Sequence, residues 1–318
     1  MNKNSEVITI LCSHLCVGDG VKPLEPKEWS NLAKMLVANN LQPADLLEFS
    51  LGDFTNKLPI NADVATRLMR LLDRSASLAF EVAKYENMGI KIVTRADSEY
   101  PQKLKKKLSG MCPPLFYYAG DIKLLNKSVV GYVGSRDIDN ESTEFATRIL
   151  SKTISRGFGV VSGGAKGVDN IAERESLMNN TPIIEFLSDS MLRRLRLASV
   201  VRAIQDGLLL MLSAAKPDAG FNAGMAMMRN KYIYAQSEAT VVIKSDYKKG
   251  GTWTGAVENL DNNWAKEFCW NNKKFNGNMA LIRRGAIPID DNWDGDILAD
   301  PKELNRFVQE SIFDKKKD

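Results

Sequence analysis

The chain has 318 residues, 44% of them hydrophobic, which is enough to bury a substantial core in one large α/β domain with a smaller companion. With 43 Lys and Arg against 39 Asp and Glu the formal charge is only +4, ordinary for a soluble enzyme, so any nucleic-acid contact is a matter of where the charge sits. Four cysteines without a regular framework, no apolar run of membrane-spanning length and no secretory leader predict a soluble protein of the reducing cytoplasm.

Apolar residues recur at helical spacing from residue 5 to about 88, through Trp29, Leu32, Met35 and Leu36, then Leu46, Leu47 and Phe49, then the run from Val64 to Leu72. Pro26 and Asn61 are helix-start residues. Residues 1–88 are therefore expected to form a small all-helical N-terminal domain, SAM-like or helix-hairpin-like, with no basic stripe to mark one helix as a reader of DNA. Cys12, His14 and Cys16 fall in a predicted helix, where alternate residues point in different directions. They are read as core thiols and a neighbouring histidine, and no metal site is expected.

A second domain is expected over residues 89–314, with a basic tail at 315–318. Its lead-in, residues 90–121, reads as a strand, a loop through Tyr100 and Pro101, a short basic helix and a strand ending at Gly120. Lys103, Lys105, Lys106 and Lys107 form a solvated helix face. Residues 129–169, VVGYVGSRDIDNESTEFATRILSKTISRGFGVVSGGAKGVD, then give strand, glycine loop, amphipathic helix, strand and second glycine loop. That is a βαβ unit, and it brings the carboxyl ends of two parallel strands side by side. At Gly134, Ser135 and Arg136, and again at Ser162, Gly163, Gly164 and Lys166, small residues and a cation precede a helix start, the arrangement of an anion site.

Downstream come a helix over about 170–177, a strand PIIEF, and one helix bearing Arg193, Arg194, Arg196 and Arg202, whose arginines serve solvent, a carboxylate or a phosphate. A strand LLLMLS without alternation suits a sheet covered on both faces. The segment FNAGMAMMRNKYI opens a helix, and its Arg229 and Lys231 are read as lying outside the core. After strand ATVVI, the loop KSDYKKGGTWT supplies Lys248, Lys249, Gly250, Gly251, Thr252 and Thr254. A strand EFCW, the stretch FNGNMALIRRGAIPI and a helix near 301–312 complete the pattern.

GSR after a strand, with SGGAKGVD about one helix later, resembles the DNA-processing protein A family, also called DprA or Smf, within a wider group of Rossmann-like nucleotide-binding proteins. The lead-in through Tyr100 and Pro101 is similar to that of the family as well. The resemblance implies a doubly wound, mostly parallel sheet in a cytoplasmic homodimer. It also implies binding of single-stranded DNA and loading of a RecA-type recombinase during natural transformation. Arg229, Asn230 and Lys231 match a family segment that lines the anion site, with Met228 where a first arginine is usual. The loop at 248–254 resembles the family's third loop, with Lys244 in place of a common acid, which is expected to make the crevice more basic. Gly277, Asn278, Leu281, Ile282, Gly285 and Ala286 fit a family segment in which Asn278 either positions the anion loops or serves an ordinary turn. Many members continue into a winged helix, which is not read here.

Together these readings predict a basic crevice suited to a phosphodiester backbone, with Phe221, Tyr232, Tyr247 and Trp253 as candidates for base stacking. The alternatives are an enzyme that cleaves an N-glycosidic bond of a nucleotide, using Asp169, Glu185 or Glu258, and a sensor of a small nucleotide, either of them in defence against foreign DNA. A binding protein without cofactor is the expected class, because no Ser/His/Asp set or paired carboxylates stand out.

Overall fold

Among the described residues, five α-helices precede the first strand, as the apolar spacing predicts. The computed structural model describes residues 1–16 and 20–298; the expected helix at 301–312 and the tail at 315–318 lie outside the described residues. The five are α1 (Lys3–Cys12), α2 (Pro26–Ala38), α3 (Leu51–Lys57), α4 (Ala62–Leu72) and α5 (Ser75–Glu86). Pro26 opens α2, and the Asn61 side chain accepts from the Val64 N–H to cap α4. The first helix is shorter than the sequence suggests. Ser13 is already extended, so His14 and Cys16 lie beyond the helix rather than on it. Cys12 stays inside, where burial raises its thiol well above the ordinary range.

The chain divides into two compact units, the first made of residues 1–119 and 212–219. Besides α1 to α5 it contains β1 (Lys91–Thr94), α6 (Gln102–Leu108) and β2 (Leu115–Ala119). The strands run antiparallel, with Thr94 opposite Leu115. Asp97, in the turn after β1, accepts from the Thr94 N–H at 2.7 Å and from Asn2 Nδ2 at 3.0 Å, which fastens this turn to the start of α1.

The second unit takes residues 120–211 and 220 onward. Its elements are β3 (Val129–Val133), α7 (Asn140–Ser155), β4 (Gly159–Ser162), α8 (Val168–Met178), β5 (Ile183–Leu187), α9 (Met191–Arg194) and α10 (Ala198–Gln205). There follow β6 (Leu209–Ser213, of which 209–211 belong here), α11 (Ala223–Gln236), β7 (Ala239–Val242), α12 (Gly250–Asn262), β8 (Lys266–Trp270), α13 (Asn276–Arg283) and β9 (Ile287–Ile289). The strand order is β6-β5-β4-β3-β7-β8-β9. β3 is parallel to both β4 and β7, with Val130 opposite Val160 and Ala239, and the pairings on to β5, β8 and β9 are parallel too.

The chain thus steps outward from β3 to β6, then returns to build β7 to β9 on the other side. Right-handed crossovers running in opposite directions put their helices on opposite faces. Accordingly α7 packs on α8, α11 packs on α12, and both α8 and α11 touch β3, β4 and β5. This is the expected doubly wound sheet, and the run LLMLS of β6 is buried throughout, as its lack of alternation requires. The single arginine-bearing helix expected after β5 is instead two short helices, α9 and α10, separated by residues 195–197. No helix among the described residues is long and apolar enough to cross a membrane.

Candidate anion-binding crevice

In an open parallel sheet, the loops on either side of the point where strand order reverses diverge and leave a crevice at the carboxyl ends. Here that point is β3. A cavity of about 520 Å³ opens there, lined by Gly134, Ser135 and Arg136 after β3, and by Ala165, Lys166 and Asp169 at the start of α8. Phe221, Met227, Arg229 and Asn230 line it from α11 and its approach, and Lys244 to Asp246 with Lys249 to Thr252 line it from the loop after β7 and the start of α12.

The three loops are tied to one another through backbone. Ser135 donates its N–H to the Lys244 carbonyl at 2.9 Å, so that amide serves the fold and not a ligand. Gly167 sits at φ +77°, where a Cβ would stand 2.3 Å from the Ser135 carbonyl, so only glycine allows the second loop to meet the first. Asn278 on α13 holds the third loop from behind: its Oδ1 accepts from the Ser245 N–H at 2.8 Å, while Nδ2 donates to the carbonyls of Ile243 and Trp270.

Positive charge at the crevice comes from fewer side chains than the sequence offered. Arg136, Lys166 and Lys249 are exposed and have no carboxylate partner among the described residues. The Arg136 guanidinium lies 5.2 Å above the Phe221 ring. Lys244 adds less than expected, because Asp139 holds it at 3.2 Å, and hydrogen bonds from Ser142, with Lys244 beside it, keep the Asp139 carboxyl down at about 2. Lys231 is turned to Glu258 at 2.9 Å and Lys248 lies over Tyr247; neither lines the cavity. Arg229 does line it, but as a buried residue paired with Asp169, not as the non-core cation anticipated.

Helix ends add neutral donors. The N-termini of α7 and α11 are capped by the side chains of Asp139 and Asn222, whereas α8 and α12, which begin at the cavity, have no side-chain cap. Apart from the Val168 N–H, which donates to the Ser135 carbonyl, their first-turn amides therefore keep hydrogen-bonding capacity and positive dipole ends for an anion.

The structure gathers Gly134, Ser135, Arg136, Lys166, Arg229, Asn230, Lys249, Gly250, Gly251 and Thr252 at one cavity. It leaves Ser162, Gly163, Gly164, Lys231, Lys248 and Asn278 off the lining. Of the three candidate carboxylates only Asp169 faces the cavity. It lies one residue inside α8, whose N-cap is Gly167, so it braces the loop by accepting from Ser162 Oγ and the Ala165 N–H instead of capping the helix. Glu185 is fully buried and shares Arg194 with Glu173 at 2.8 and 2.7 Å; burial pushes its carboxyl up in spite of the arginine. Glu258 is committed to Lys231. Among the stacking candidates, Phe221 is 58% and Tyr247 49% exposed, Tyr232 packs edge-on against Phe186, and Trp253 meets Tyr247 edge-on. Sequence reasoning did not find Met227, Ser245 or Asp246. Asp246 could have been noticed as the one acid inside a lysine-rich loop, while Met227 carries no local signal.

Strand order and reversal point define a Rossmann-like, doubly wound protein with a crevice lined by basic side chains at its switch point. Residues 91–298 match the model of the family described as DNA recombination-mediator protein A, and the chain belongs to that family. It is 25% identical over 217 residues to DNA processing protein DprA of Bacillus subtilis (strain 168), which covers 65% of this chain and 71% of that protein. Among solved structures it is similar to DprA from Streptococcus pneumoniae, with a TM-score of 0.63 at 20% identity over 84% of this chain and 95% of that one. It is also similar to DNA processing protein A from Helicobacter pylori, studied for its single-stranded DNA binding mode, with a TM-score of 0.51 at 22% identity over 70% of this chain and 96% of that one. At these identities the two structures bear on the fold.

Proposed function

We propose that this chain binds single-stranded DNA in the crevice, with little regard to base sequence, as a step in DNA processing and recombination. The observation that carries the reading is the convergence of Arg136, Lys166 and Lys249, none with a carboxylate partner among the described residues, with two helix N-termini that lack a side-chain cap on one cavity. Such a set of donors suits phosphates and reads no base edge. A recessed site receives one nucleotide unit of a flexible strand at a time, whereas a duplex presents its phosphates on a stiff convex surface. Phe221 offers a face for base stacking beside the phosphate donors. The family match and the single-strand binding named for the Helicobacter pylori relative support the same ligand. In this reading the bound strand passes to a RecA-type recombinase, which the family's description as a recombination mediator favours, and the protein acts as a cytoplasmic homodimer.

The test is the affinity for a labelled single-stranded oligonucleotide and for its matched duplex across a salt series. Tighter, salt-sensitive binding of the single strand is expected. Arg136→Ala with Lys166→Ala should lower the salt slope by about 1.4, at about 0.7 for each single-strand phosphate that is no longer neutralised. A folded double variant that keeps wild-type affinity and slope would remove the crevice from consideration.

A further inference from the structure

Arg229 reaches the crevice from α11, outside both glycine-loop motifs. Its side chain is only 6% exposed, its buried Nε has no hydrogen-bond partner among the described residues, and its Nη1 stands 3.4 Å from Asp169 Oδ2. The guanidinium rests on the backbone of Gly163. A Cβ at that position would stand 1.2 Å from Nη1, 2.2 Å from Cζ and 2.7 Å from Asp169 Oδ2, so any side chain there takes the place of the guanidinium. Asp169 meanwhile accepts from Ser162 Oγ at 2.9 Å and from the Ala165 N–H at 3.1 Å. One carboxylate thus steadies the loop after β4 and aims a cation delivered by a different element.

The geometry points to Gly163 and Asp169 as positioning residues that seat Arg229 as the floor cation of the crevice, its guanidinium offered to a phosphate of the bound strand. This rests on the reading of the crevice as a phosphodiester site. The separation of 3.4 Å is longer than the roughly 2.7–2.9 Å of a strong charge-assisted contact, so the guanidinium is held without spending all its donors. Gly163 is then small to admit an arginine, not to let backbone approach the ligand. Asp169 stands in an anion site because a buried guanidinium with no counter-charge would be strongly unfavourable.

The consequence opposes simple charge counting. Loss of a negative charge from a basic crevice should tighten a polyanion if only the summed field mattered. If Asp169 seats Arg229, its neutralisation weakens binding instead.

The experiment measures binding of a labelled oligo(dT) strand to the whole chain across a salt series, for the wild type and for Gly163→Ala, Asp169→Asn, Arg229→Met and Asp246→Asn. Asp246 lines the same cavity with no ion pair among the described residues, so D246N reports the plain charge effect and should bind more tightly. G163A, D169N and R229M should each weaken binding about tenfold and lower the salt slope by about 0.7. In an R229M background, G163A and D169N should add nothing further. The clash in G163A falls on the far end of a flexible side chain, so this variant folds with its guanidinium displaced and decides the matter even where D169N lowers stability. The proposal is overturned if G163A and D169N bind as tightly as wild type with an unchanged slope, or if they weaken R229M as much as they weaken wild type. A wild-type protein that does not bind the strand would strike the reading of the crevice itself.

Discussion

Glu267 lies in β8 at 3% exposure, one carboxyl oxygen held by Asn259 Nδ2 at 2.8 Å and the other without a partner among the described residues. Burial pushes its carboxyl up to about 8 from an ordinary 4.5, so the folded protein favours the protonated form. Stability from this group is therefore complete below pH 4.5 and is lost as pH rises through about 8. Glu267→Gln keeps an acceptor for Asn259 and carries no charge. It should match the wild type near pH 5 and exceed it by on the order of 3 kcal/mol at pH 9, as read by urea denaturation; equal stability at pH 9 would mean that the carboxylate ionises in place without penalty. The sequence marks the strand EFCW but not this buried acid, because periodicity tells which residues are extended and not how many layers cover them. The same blindness applies to Arg229. In a methionine-rich helix no pattern shows which face turns inward, and its partner Asp169 is 60 residues away.

At the scale of elements, the two glycine loops are legible because glycine, small hydroxyls and cations cluster locally after apolar strands. What holds those loops together is less so. Family resemblance leaves Asn278 as either a loop-positioning residue or a turn residue, and the structure gives it three buried hydrogen bonds that fix the loop after β7. Asn278→Ala should cost about 2–3 kcal/mol, since it strands an N–H and two carbonyls, and should weaken DNA binding as Lys249 loses its anchorage. Asn278→Asp should be no better, because a carboxylate cannot donate to the Ile243 and Trp270 carbonyls. Thermal melting ranks the three proteins, and a melting temperature of N278D equal to wild type would contradict this account. The separation of α9 from α10 has no local signal either: residues 191–200 contain neither glycine nor proline, and Arg194 finds its partners Glu173 and Glu185 only in the folded unit.

For the whole molecule, the fold class is readable from alternating apolar runs and amphipathic stretches, whereas the grouping of elements is not. The family match begins at residue 91, close to the change of pattern at 88, while the compact units part at 119 and 120. A short strand such as β1 looks alike in sequence whichever body it joins. Central burial carries a dynamic expectation. β3, β4 and β7, buried along their length and paired on both edges, should be the last to exchange amide hydrogens, and the short helix α3, with Phe54 its sole buried residue, among the first. Hydrogen exchange read by mass spectrometry tests this, and uniform rates across these segments would count against it. The brace at Asn278 also bears on how the protein is made. A chain growing from its N-terminus holds every cation-bearing loop of the crevice by residue 252, yet the side chain that fixes the last of them is added only at residue 278. The loop after β7 therefore gains its fixed geometry late in synthesis, after a nascent chain has already displayed the lysines and arginines of all three loops.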